Sequence, residues 1–426
     1  MKCEISEYQL RSGSRGLIVN VSGAPVMVTQ FQFRAGNRYV KDYASKSQTA
    51  HIMEHMAFGA SDGFATGHDY DATFTRNGAY HNAYTDDISM VYEATCADFE
   101  WDRVLQLQRY AICAPKFNED DFASEVGTVR SELTGYLSQA ERVLWPRMAQ
   151  AMGEDTKTFQ EGLDSISNIT VDDVRQHYAR THTAGNMRFV VAGNFDGRLT
   201  QLRDILNTFE LGDGDRLPIP VDEIHSAPAF AIRRKDVPGI GLGISIAVPR
   251  KLNDIEAQAM DVLNHILNGT LHSRIQGEAR RRGLLYYMWS QLSTFEHNSS
   301  WDFGAQVSLN NLPAVVDLVR EEIERVCDGE VDEADLAEAK SYLLGRHQMN
   351  TQTVGQIVSY LADRYFFDGI IDDPDEIPAR IESVTREQII ETTRDFIRHN
   401  CWTLGLYGST DKAMADSLQE KLSKLF

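Results

Sequence analysis

Two histidines and a glutamate stand within five residues, His51-Ile52-Met53-Glu54-His55, inside AHIMEHMAFG. Residues four apart lie one above the other on a helix face, and residues three apart sit beside them. On a helix, His51 and His55 can therefore chelate one ion while Glu54 stays close to it. Two neutral imidazoles and one carboxylate, with water in a fourth position, are the usual ligands of a catalytic zinc ion. Glu54 cannot easily be both ligand and base, so a further acid is needed. The segment SEVGTVRSELTGYL supplies Glu125 and Glu132, seven residues apart and two turns along one helix face. The competing reading makes both histidines hydrogen-bonded core residues and Glu125 part of a solvated helix face.

Positioning these groups requires two helices at least. The run from Gln48 to Phe58 mixes Ala50, Ile52, Met53, Met56, Ala57 and Phe58 with the polar residues, which predicts a mostly buried helix. A second helix is expected after the loop at Lys116 to Asp121. Ala24 to Arg34 and Gly239 to Pro249 read as long strands, Ala79 to Thr85 and Ser89 to Thr95 as an adjacent pair, and Asp98 to Ala111 as a helix. In the second half, Tyr286 to Ser293 and Trp301 to Leu309 read as strands. Helices follow near Leu312 to Cys327, Asp332 to Arg346 and Gln352 to Phe367. Strands and helices in this order predict an α+β fold in which each antiparallel-rich mixed sheet is covered by helices.

The chain is long enough, at 426 residues, for two domains with full cores. Gly, Pro and Asp cluster without periodicity in LGDGDRLPIPVDEIHSAP. The expected organisation is a metal-binding domain at 1–212, a linker at 213–227 and a second domain at 228–426. Both halves end alike: Thr170 to Gly193 and Thr385 to Gly408 each span 23 residues, at an offset of 215. In each copy a threonine caps a helix and an apolar strand ending at glycine follows. The domain is duplicated. At the same offset His51, Glu54 and His55 fall on Ile266, Gly269 and Thr270, and Glu132 falls on His347, so the second copy lacks the ligand set.

An inverted H-x-x-E-H followed by E-x6-E, with Glu132 77 residues beyond His55, resembles the pitrilysin/insulinase-type zinc peptidases. The resemblance implies one Zn2+ per chain held by His51, His55 and Glu132, with Glu54 as general base. Glu125 would support the site without touching the metal. It further implies duplicated α+β domains of which one binds metal. Within the second half, SRIQGEARRRGLLYYMWSQ is similar to a family segment in which an arginine and a tyrosine seven residues later contact substrate. Arg280 and Tyr287 have that spacing, but Gly283 arrives one place early and leaves Tyr286 as the competing tyrosine. Alternatively, Arg280 to Arg282 complement a helix C-terminus and the tyrosines are core aromatics. The stretch NGAYHNAYTDD resembles the family's N-A-x-T strand. Asn82 and Ala83 would then lie on an edge strand to which a peptide adds, unless this is an ordinary hairpin. His81 and His68 lack metal-ligand spacing.

The implied activity is that of a zinc endopeptidase cleaving unstructured peptides or leader segments. Family members enclose a chamber of four such domains and this chain holds two, which implies a homodimer. A non-catalytic structural subunit of the same fold and a small-molecule amide hydrolase are the alternative functions. A net charge of −20, from 62 acids against 42 bases, argues against a nucleic-acid partner. Five scattered cysteines without a pairing framework fit a reducing compartment. No apolar stretch approaches the roughly 20 residues that span a bilayer, and the first residues lack a signal-like apolar segment, so the expected location is cytoplasmic without a membrane partner.

Overall fold

The computed structural model describes residues 2–426. Two compact units share the chain in an interleaved way. The first takes residues up to 135, 160–220 and 348–374, and the second takes 136–159, 221–347 and 375–426. The chain passes from one unit to the other between Pro220 and Val221, inside the segment expected to link them. A single break there does not describe the units, because one helix from each half of the sequence belongs to the other half's unit.

The first unit is built on a six-stranded sheet. Its strands are β1 (Glu4–Gln9), β2 (Arg15–Asn20), β3 (Val26–Arg34), β4 (Tyr80–Thr85), β5 (Ser89–Ala97) and β6 (Met187–Gly193), in the order β1-β2-β6-β3-β5-β4. The second unit has β7 (Phe230–Arg233), β8 (Ile240–Val248), β9 (Leu285–Thr294), β10 (Ser299–Val307) and β11 (Cys401–Gly408), in the order β7-β11-β8-β10-β9. Without β1 the two orders are the same. The single parallel pair also recurs, β2 with β6 and β7 with β11, while the other neighbours are antiparallel. These are two mixed sheets of one duplicated α+β design.

The spacing between copies is not constant. Thr170 and Thr385 both head helices with reciprocal capping boxes, at the expected offset of 215. Yet β5 begins at Ser89 and β10 at Ser299, only 210 residues later. Insertions and deletions between the copies mean that Ile266, Gly269 and Thr270 are not fixed as the counterparts of the metal motif. Among the described residues one group alone gathers three metal-ligating side chains, and it lies in the first unit.

The helices that cross between halves explain how each sheet is covered. Helix Val354–Asp368 presents Val354, Ile357, Val358, Leu361, Ala362 and Tyr365, a helical stripe, to Leu17 and Val19 of β2 and Val190 and Ala192 of β6. In the second unit helix Ala140–Ala151 lies on cross-strand partners Gly243 and Gly405. A Cβ at Gly243 would stand 2.5 Å from Met148 Sδ, and one at Gly405 2.8 Å from Leu144 Cδ1. A side chain at either position would have to displace Leu144 or Met148, so the two glycines make room for the helix's apolar side chains. Replacing Leu361 with Ala should cost about 2–5 kcal/mol. Hydrogen exchange would be expected to speed up in β2 and β6 and stay unchanged in β8 and β11. Uniform acceleration in both sheets would contradict this division of the chain.

Candidate metal centre

Helix Thr49–Ala57 turns Ala50, Ile52, Met53, Met56 and Ala57 inward and leaves His51 and His55 half-buried at one side. Its N-cap residue, Gln48, makes no capping bond. Instead Gln48 Oε1 lies 2.9 Å from His51 Nδ1. Room for that amide comes from Gly162, where a Cβ would approach Gln48 Nε2 to 2.7 Å.

The second helix, Glu119–Tyr136, opens with Glu119, Asp120 and Asp121, acids that suit the positive end of the helix dipole. Asn118 Oδ1 accepts from Asp121 N–H at 2.7 Å, which secures the first turn. Asp121 also accepts the Ala60 N–H at 2.9 Å, just past the end of the histidine helix. Gly59 is required beside it, because a Cβ there would meet Asp121 Oδ2 at 2.6 Å. The two helices are thereby tied at one end, and Glu125 and Glu132 face the histidines.

Glu132 Oε2 lies 3.4 Å from His51 Nε2 and 3.5 Å from His55 Nε2. Ligand atoms about 2.0–2.2 Å from a tetrahedral ion stand roughly 3.3–3.5 Å apart, so the donor set fits such an ion. The other ring nitrogens are engaged, His51 by Gln48 and His55 by Glu125 Oε2 at 3.0 Å. If each Nδ1 carries the proton it donates to its oxygen partner, both Nε2 lone pairs point at the same small volume. Glu125 thus contacts a histidine rather than joining the three donor atoms.

Glu54 is 8% exposed, and burial raises its pKa above the usual carboxylate value. The neighbouring His51 and His55 and the Thr85 hydroxyl of β4 act in the opposite sense. For His55 burial would lower the pKa, but Glu125, Glu132 and Glu54 outweigh it and hold the imidazole up to about 10. Without a cation, the proton on His55 offsets part of the negative charge.

The remaining sequence candidates divide by unit. Asn82 and Ala83 lie on β4, the outer strand of the first sheet, and among the described residues no strand pairs with its far edge. Asn82 is exposed, and Ala83 is buried opposite Tyr92 of β5. The hairpin reading is also met, since Asp86 accepts the N–H groups of Ile88 and Ser89 in the turn that joins β4 to β5. His81 is not a member of the donor group; its Nε2 lies 3.0 Å from Asp71 and its ring packs against Phe58 and Phe74. Arg280 and Tyr287 belong to the second unit. Arg281 and Arg282 pair with Glu278, whereas Arg280 donates to the Tyr286 carbonyl at 2.6 Å and lies over the Tyr286 ring at 4.7 Å. Tyr286 and Tyr287 are 82% and 55% exposed, which overturns the reading of either as a core aromatic.

Gln48, Asp121, Gly59 and Gly162 escaped sequence reading. Gln48 alone left a signal, its three-residue spacing from His51 on a helix. Replacing Glu125 with Gln should bring the titration of His55 in metal-free protein down from about 10 toward neutrality, as followed by NMR of the imidazole. Folding raises this pKa above its unfolded value of about 6.5. The associated stability is therefore present below that pH and lost as pH rises through the folded value. A variant with unchanged His55 titration would rule out the Glu125 contact as its cause.

Comparison with known proteins agrees with the geometry. Residues 27–162 match the model for Insulinase (Peptidase family M16), and residues 168–343 match that for the Peptidase M16 inactive domain. An uncharacterized zinc protease of Streptomyces coelicolor is 22% identical over 359 residues, covering 82% of this chain and 78% of its own length. A non-peptidase homolog of Helicobacter pylori is 24% identical over 214 residues, covering 49% of this chain and 48% of its own. The crystal structure of a protease from Helicobacter pylori superposes with a TM-score of 0.82 at 17% identity, covering 96% of this chain and 100% of that one. With the inverted histidine motif, the duplicated sheets and both family models in the same order along it, the chain belongs to peptidase family M16, the insulinase family.

Proposed function

We propose that this chain is a zinc-dependent endopeptidase acting on extended peptides, such as unstructured chains or leader segments. The observation that carries the reading is the convergence of His51, His55 and Glu132 on one volume, with buried Glu54 on the turn between the histidines. A zinc ion held by these three residues would supply Lewis-acid activation of water and of the scissile carbonyl.

The chain's own residues supply the rest. Glu54 takes a proton on its carboxylate and passes it to the departing amine, and its upward-shifted pKa brings it nearer the working pH of such a base. Glu125 and Gln48 hold the imidazole rings in the orientation that leaves Nε2 to the ion. The open edge of β4 at Asn82 and Ala83 receives the peptide backbone as an added strand, and the small Ala83 leaves it room. Tyr287, with Arg280, contacts the substrate, and its hydroxyl donates to the developing oxyanion. Two copies of the chain form the enclosed chamber, so that elements of both units are supplied by a homodimer.

A non-catalytic role is the rival reading, and one relative is named as a non-peptidase homolog. The complete donor set and buried base favour catalysis over it. A small-molecule amide hydrolase would need no strand edge, and β4 favours peptide. Among the described residues no helix is long and apolar enough to cross a membrane, which agrees with a substrate met in water.

Metal analysis of the purified protein, with mass spectrometry of a digested peptide library, tests the reading directly. Replacing Glu54 with Gln should leave metal content unchanged and lower peptide hydrolysis by about 10²–10⁴-fold. Turnover retained by metal-replete Glu54→Gln protein would refute the assigned base. Light scattering should give a dimer, and mixing inactive Glu54→Gln with slowed Tyr287→Phe subunits should recover part of the activity if the site is shared. An active monomer would exclude the shared site.

A further inference from the structure

The two faces of β4 differ. Tyr80, Asn82 and Tyr84 take one face and are exposed, while His81, Ala83 and Thr85 alternate onto the other. That second face meets the histidine helix. The His81 ring packs at 4.6 Å on Phe58, the residue that caps the end of helix Thr49–Ala57. Glu54 stands one turn before Phe58 on the same side of the helix. At the other end of the strand, the Thr85 hydroxyl is near enough to the Glu54 carboxylate to lower its pKa as a hydrogen-bond donor. Among the described residues, no other side chain donates to Glu54.

The bond between them is nonetheless incomplete. Thr85 Oγ1 is buried and meets no partner at full hydrogen-bond geometry. A buried donor held just short of a buried acceptor is unfavourable, and a small shift of either group would complete the pair. Hydrogen bonds of this kind in unliganded active sites commonly tighten once substrate is in place. The position of Thr85 in the sheet says what could bring the shift about. It is the last residue of β4, two beyond Ala83, and β4 is held by β5 on one side only. Pairing on the second side would remove the freedom that such a strand retains.

We propose that Thr85 is a positioning residue that couples peptide pairing on β4 to the base: an added strand draws β4 into the alignment in which the Thr85 hydroxyl donates fully to the Glu54 carboxylate. One carboxylate oxygen is then held by Thr85, and the other is left to take the proton. By reciprocity, the completed bond also tightens the hold on the peptide. The inference rests on the reading of β4 as the peptide edge and of Glu54 as the base. It adds a reason for the base to be set only when a peptide is present.

Binding without cleavage tests the coupling. The zinc-loaded full chain is prepared with Glu54→Gln, which keeps an acceptor, or with Glu54→Leu, which removes it. The probe is fluorescein-labelled ribonuclease A, reduced and carbamidomethylated so that it stays unfolded, and affinity is read by anisotropy. Adding Thr85→Val should weaken binding about fivefold in the Glu54→Gln background, the size of one neutral hydrogen bond, and change nothing in the Glu54→Leu background. Thr85→Ser, which keeps the hydroxyl, should bind as the parent does. With Glu54 intact, Thr85→Val should lower kcat for the same unfolded chain about tenfold, and Thr85→Ser should retain it to within about twofold. Equal weakening in both backgrounds would reduce Thr85 to a structural part of the strand. That result, no weakening in either background, or an unchanged kcat in Thr85→Val would overturn the inference and leave the peptidase reading in place. A wild-type protein that binds the probe and never cleaves it would instead overturn the peptidase reading, and the affinity comparison would still decide the coupling. Absence of binding would overturn the peptide edge and the inference together.

Discussion

The contact between His55 Nδ1 and Glu125 Oε2 joins two helices whose residues stand 70 apart in the chain. With one ring nitrogen occupied, His55 can offer only the other to an ion, and Gln48 imposes the same choice on His51. Two imidazoles left to rotate would present either nitrogen. Two imidazoles fixed by an amide and a carboxylate present both Nε2 atoms to Glu132. The arrangement depends in turn on backbone that cannot carry a side chain. Gly162 makes space for Gln48, and Gly59 lets Asp121 reach the Ala60 amide and fix the helix ends.

Gathering Glu54, Glu125 and Glu132 around two histidines concentrates negative charge where burial penalises it. The protein meets this by retaining a proton on His55 and by the raised pKa of buried Glu54. A divalent cation would compensate the same charge and require the proton to leave. The charge that favours the proton on His55 would equally favour a divalent cation in its place.

The two units show what duplication retained. Sheet order and the parallel pair recur, and so do the capped helices at Thr170 and Thr385. The packing of the covering helix has diverged: an apolar stripe covers the first sheet, while in the second Gly243 and Gly405 make room for Leu144 and Met148 of the covering helix. Because each unit takes a helix from the other half of the sequence, neither half contains all of its own core. That physical dependence is a reason for both copies to persist although, among the described residues, one alone has the donor set.

Much was legible from the residues. Helical spacing paired His51 with His55 and Glu125 with Glu132, because such periodicities are local properties of backbone geometry. The repeat and most strands could be read for the same reason, as hydrophobic alternation follows from which side of a sheet is buried. By itself the sequence determined the metal motif, the duplicated α+β class and the acidic net charge. Tertiary structure alone decided which helix covers which sheet, that β4 is an edge, that Glu125 meets a histidine, and that Gln48, Asp121 and two glycines hold the site in shape. Those outcomes depend on contacts between segments far apart in the chain, where no local periodicity records which surfaces will meet.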